Sequence, residues 1–105
     1  MKAKDYYNKY KDRLTDAEEA TKAIQELIME FIQETKELLN KRNVRSDRGV
    51  MAVVNEQNNK WNALCSYFDP PVIKRNSYQI IVLKTLGIVA DTAARIRRGQ
   101  INIPN

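Results

Sequence analysis

Four cations fall within eight residues in NKRNVRSDRG, residues 40–49: Lys41, Arg42, Arg45 and Arg48, with Asp47 as the one carboxylate among them. Guanidinium and ammonium groups at this density match phosphate oxygens, so the chemistry they suggest is anion binding. Three more cations, Arg95, Arg97 and Arg98, stand near the C-terminal end of the chain. Groups for other chemistry are absent or isolated. There is no histidine, which removes the commonest general base and the commonest zinc ligand. Cys65 is the one cysteine and lies on an apolar stripe, where it reads as a small buried hydrophobe rather than a nucleophile. No glycine-rich phosphate loop, CxxC pair, Ser/His/Asp set or HExxH segment occurs. Glu30 and Glu34 read as ordinary carboxylates on an exposed helical face. The sequence therefore predicts a non-enzymatic protein with no catalytic residue, no metal site and no cofactor.

For the seven cations to act together, helices must carry them to one pole. Thr15 followed by Glu18 has the pattern of a capping box, in which a hydroxyl and a carboxylate satisfy the first free amides of a helix. Ala17, Ala20, Ile24, Leu27, Phe31 and Leu38 then recur at spacings of three and four, with a gap at Glu34 and with Ile28, Ile32 and Leu39 widening the stripe. This predicts a helix over about 15–42. Val50, Val54, Gln57, Trp61, Leu64 and Phe68 form a second stripe flanked by Met51, Val53 and Cys65, with Ser46 as N-cap, over 47–68. The glutamine in that apolar seam would set the register between helices. Asp69-Pro70-Pro71 ends the helix, because proline cannot continue the hydrogen-bond ladder. A third helix begins either directly after the prolines, near 72, or at Ser77, and runs to about Arg98 with Gly99 as its C-terminal cap.

The expected fold is all-α: one domain, 1–105, made of a basic helical arm (1–14), a three-helix antiparallel bundle (15–98) and a short tail (99–105). In the arm, Tyr6, Tyr7, Tyr10 and Leu14 recur at helical spacing. They read either as a helix folded over the bundle or as tyrosines that stack on nucleic-acid bases. No internal repeat or low-complexity tract interrupts this organisation. Antiparallel helices joined by short links would bring Lys41, Arg42, Arg45, Arg48, Arg95, Arg97 and Arg98 to one pole, opposed by Asp47 and more distantly by Asp91. That pole is either a site for phosphate-bearing ligands or a solvated cap that offsets the helix dipoles.

Two features point to association. The third helix is apolar nearly all round, and one small chain has little to cover it with. Ile80, Ile81, Leu83, Leu86, Gly87, Ile88, Ala90 and Ala94 are the candidate oligomer interface, the small residues permitting close approach. Charge is also partitioned. Residues 1–14 carry five basic and two acidic side chains, 15–39 two basic and seven acidic, and 40–105 eleven basic and four acidic. Such a partition can join elements within a chain or steer assembly between chains.

The leading expectation is a small interaction protein, an adaptor, inhibitor or assembly subunit, that binds itself and a protein partner. The alternative is a nucleic-acid or nucleotide-binding module using the basic pole. Asn55, Gln57, Asn58, Asn59 and Asn62 are of types that contact bases, but they lie in a helix too long for a compact recognition unit. In composition the chain resembles accessory proteins of phages and mobile elements. The N-terminal stretch lacks the apolar segment of a secretion signal. The most apolar window, residues 80–90, is about half the length needed to span a bilayer. With a single thiol, these features predict a cytoplasmic protein without membrane contact.

Overall fold

The computed structural model describes residues 1–85, apart from the side chains of Asp47, Leu83 and Thr85. Helix α1 (Ala3–Tyr10) passes through a single 3-10 turn (Lys11–Arg13) to α2 (Ala17–Lys41), α3 (Asp47–Tyr67) and α4 (Ser77–Thr85). No strand occurs among the described residues. The helices pack against one another, and α3 touches each of the other three. The arm is thus a helix laid on α2 and α3. An isolated helix of eight residues is too short to persist in water. What holds α1 is the burial of Tyr6 and Tyr10, with 1% and 4% of their surfaces exposed.

Helix α2 starts two residues later than the sequence pattern suggested. Its cap is Asp16, whose Oδ1 accepts the Glu19 amide at 2.9 Å, and not Thr15. A carboxylate at this place offsets the positive end of the helix as well as accepting an amide. The core side of α2 is Ala23, Leu27, Phe31 and Thr35, all buried, while Ala17 is exposed. The gap at Glu34 is closed by its neighbour Thr35, a residue that composition counts as polar.

The link from α2 to α3 settles what NKRNVRSDRG does for the backbone. Asn43 takes a left-handed conformation, φ 52°. Its N–H donates to the Asn40 carbonyl, and the Val44 N–H reaches back to the Leu39 carbonyl, both at 3.1 Å. These two bonds form a Schellman C-cap, and Val44 and Leu39 both pack against the core beneath it. Ser46 then caps α3, its Oγ accepting the Gly49 amide at 3.1 Å. A Cβ on Gly49 would stand 2.9 Å from Val44 Cγ1, so the missing side chain leaves room for Val44. The motif is first of all a tight helix-to-helix connection.

Helix α3 ends at Tyr67, ahead of Pro70 and Pro71. The Asp69–Pro70 bond is cis. Helix α4 starts at Ser77, not directly after the prolines. The connection between them is held by the Trp61 indole N–H, which donates to the Lys74 carbonyl at 3.0 Å. Trp61 is fully buried, stacked on Tyr78 at 5.0 Å and meeting the edge of Phe31 at 5.3 Å. Met51, expected beside the seam, is exposed. No helix among the described residues is long and apolar enough to cross a membrane.

Candidate functional site

Of the seven cations, Lys41, Arg42, Arg45 and Arg48 lie on or beside the α2–α3 link, and all four are exposed. Arg95, Arg97 and Arg98 lie outside the described residues. The four are not equally available to a ligand. Arg42 forms a fork to Glu56 of α3, with Nη1 to Oε2 at 2.7 Å and Nη2 to Oε1 at 3.0 Å. That pairing holds the Glu56 carboxyl below its ordinary range and raises the Arg42 guanidinium. Along the sequence only Asp47 and, more distantly, Asp91 stand against this pole. Glu56 is fourteen residues from Arg42 and becomes its neighbour only because the tight link folds α3 back beside α2. Arg45 Nε donates to Asn43 Oδ1 at 3.4 Å, a weak contact that leaves its charge uncompensated.

The acidic side chains of α2 have a different use from the one their spacing suggested. Glu30 and Glu34 are not freely exposed surface residues but sit half-buried under the arm. Glu34 accepts from the Tyr6 hydroxyl and from Lys60 of α3, and the N-terminal ammonium lies 3.5 Å away. Glu30 accepts both oxygens' worth of contact from Lys9 at 2.8 Å, and it also accepts from the Tyr10 hydroxyl. Arg13 spans Glu19 and Glu26. Burial pushes the Glu30 carboxyl up, but Lys9 and Tyr10 outweigh it and hold the group below its ordinary range. Burial, then the bond to a carboxylate, raises both phenols, Tyr6 and Tyr10. Much of the charge partition is therefore satisfied inside the chain: the basic arm lies on the acidic helix.

A second internal cluster joins α2, α3 and α4. Gln57 Nε2 donates to Thr35 Oγ1 at 3.2 Å. Thr35 also shares a hydrogen bond with the Tyr78 hydroxyl, which faces the Phe31 carbonyl at 3.3 Å. Gln57 is 2% exposed, so it contacts neighbouring helices and not bases. Burial raises the Tyr78 phenol and pushes the Cys65 thiol up to about 11. A thiol so placed is protonated at neutral pH and is a poor nucleophile. Among the described residues no cluster of His, Cys, Asp or Glu is disposed to hold a metal ion.

The candidate interface is described only at its beginning. Tyr78 and Val82 of α4 face inward and are buried, whereas Ile80 is 57% exposed and Ile81 half-buried. A surface groove of about 510 Å³ runs beside them, lined by Lys74, Arg75, Asn76, Ser77, Ile80 and Ile81. The side chain of Leu83 and all of Leu86, Gly87, Ile88, Ala90 and Ala94 lie outside the described residues. The chain matches no protein-family model, and comparisons with curated proteins and with solved structures return no match.

Proposed function

We propose that the protein is a small non-enzymatic helical interaction protein, an adaptor, inhibitor or assembly subunit, that binds itself and a protein partner in the reducing cytoplasm. In this reading α2, α3 and an α4 extended toward Arg98 make a three-helix antiparallel bundle, with α1 as the arm across it. The observation that carries the proposal is Ile80. It stands 57% exposed on a helix whose other side buries Tyr78 and Val82. Covering the exposed part of this isoleucine contributes about 1–2 kcal/mol. The apolar residues that follow it in sequence would enlarge that surface. Charge is the weaker candidate for driving association, because the arm already engages Glu19, Glu26, Glu30 and Glu34 within the chain. The compositional likeness to phage and mobile-element accessory proteins fits the same role. The test is Ile80→Glu. Its mass in solution should fall below that of the wild type while its helical circular dichroism is kept. An unchanged mass would remove α4 from the interface.

A second reading, binding of nucleic acid or a nucleotide at the basic pole, is supported by the exposure of Lys41, Arg45 and Arg48 along the α2–α3 link and the start of α3. It separates from the first through salt. Phosphate contacts weaken steeply as salt rises, and apolar association does not. On this reading the Lys41→Glu, Arg45→Glu double variant should lose binding of duplex nucleic acid or nucleotide without loss of helix. Gel-shift and nucleotide-binding assays of the wild type at about 50 mM salt, if silent, would end this reading.

A further inference from the structure

We infer that Tyr7 and Tyr67, with Lys4 and Lys11, form a stacking site for single-stranded nucleic acid on the outer side of the arm. Of the three arm tyrosines, two are consumed by the fold: Tyr6 and Tyr10 are buried and spend their hydroxyls on Glu34 and Glu30. Tyr7 is built differently. Its ring stacks on Tyr67 of α3 with centroids 5.4 Å apart and planes 28° from parallel. Phe68 fixes it from the side, edge-on at 5.0 Å. Among the described residues neither the Tyr7 nor the Tyr67 hydroxyl has a protein hydrogen-bond partner. Tyr67 keeps 44% of its surface exposed although one face rests on Tyr7. The pair is thus an ordered aromatic step whose Tyr67 member is partly open to solvent.

Cations accompany the step. The Lys11 ammonium lies 5.6 Å from the Tyr7 ring centroid. Lys4, exposed, precedes Tyr7 by three positions, about one helical turn. An exposed aromatic face beside ammonium groups is the arrangement that single strands use, the base on the ring and the phosphates on the cations. Duplexes keep their bases stacked on each other and cannot offer them. Asp12 and Asp69 adjoin these segments in sequence, so the cationic excess is small. Binding must then come mostly from stacking, with one or two phosphate contacts and a salt slope near −0.7 for each. The site is independent of the basic pole, since Tyr67 and Arg48 occupy opposite ends of α3, about 30 Å apart at 1.5 Å per residue.

The experiment is fluorescence anisotropy of a labelled oligothymidylate of about ten nucleotides at about 50 mM salt. Tyr67→Ala, a surface change, should weaken binding roughly tenfold or more, while Tyr67→Phe retains it, because the ring and not the hydroxyl does the stacking. Lys11→Glu should weaken it less and flatten the salt slope by about one contact. An abasic strand of equal length should bind more weakly than oligothymidylate. The Lys41→Glu, Arg45→Glu variant should bind as the wild type does. Trp61 emission reports whether each variant is folded. Three results would overturn the inference: no binding by the wild type, equal binding of the abasic strand, or full binding by Tyr67→Ala. Loss of binding in the Lys41→Glu, Arg45→Glu variant with none in Tyr67→Ala would assign the strand to the basic pole instead.

Discussion

Thr35 is a hydroxyl with no exposed surface, and it holds together three helices. It bonds Gln57 from α3 and Tyr78 from α4 while its own helix supplies the Phe31 carbonyl. A buried donor left without an acceptor costs about 1–3 kcal/mol. Thr35→Val conserves shape but strands Gln57 Nε2, so the unfolding free energy from urea titration should fall by that amount, with a lower midpoint. A midpoint equal to wild type would show that the cluster contributes nothing. Trp61 makes the larger test: Trp61→Ala removes a fully buried indole and its bond to the Lys74 carbonyl, at a cost of roughly 3–5 kcal/mol. The wild-type emission should be blue-shifted, and a maximum typical of hydrated indole would contradict the packing. Seen from single residues, Trp61 and Gln57 were legible as seam positions because their spacing is helical. Thr35 was not, since nothing in its type marks it as core. Glu56 was not legible either, because its partner Arg42 is near only after the chain folds back.

At the scale of elements, the docking of α1 on α2 has a pH signature with two limbs. The Tyr6 and Tyr10 phenols are raised in the fold, by burial first and by Glu34 and Glu30 next. Their contribution is complete below the unfolded phenol value of about 10 and declines as pH rises beyond it. The Glu30 carboxyl is depressed in the fold, burial opposing and Lys9 with Tyr10 prevailing. Its contribution is present above about 4.3 and is lost as pH falls through the folded value. Stability measured by urea across pH should show a plateau between these limbs. The Tyr6→Phe, Tyr10→Phe double variant should have a shallower alkaline limb; an unaltered limb would place the titration elsewhere. The arm's helical repeat could be read from its tyrosines, but which side of α2 it would cover could not. Glu30 and Glu34 looked like solvent-facing charges until a partner surface was present. The α2–α3 link was legible as a boundary through Ser46, while its Schellman geometry depends on the left-handed Asn43. Asn43→Ala should cost about 1 kcal/mol, because a β-carbon without a polar group is disfavoured there, and Asn43→Gly should not. Equal midpoints for the two variants would contradict the assignment of that cap.

For the whole molecule, the proposed association rests on the apolar surface of α4. Opposite charges along the chain are spent largely within it, the arm against α2 and Arg42 against Glu56. On α4, Ile80 stays exposed beside an open groove. The all-helical class was legible from periodicity and from the scarcity of glycine and proline. The occupant of that groove was not, because an apolar side chain in a sequence does not say whether its own chain or another covers it. Association at micromolar strength requires about 8 kcal/mol net, more than one isoleucine supplies, so a larger apolar patch must be buried. Sedimentation equilibrium of the wild type at tens of micromolar tests this most directly. Association through α4 predicts an integral multiple of the 12.2 kDa chain mass, insensitive to added salt, and a return to one chain mass in Ile80→Glu. A wild-type mass of 12.2 kDa at that concentration would contradict it.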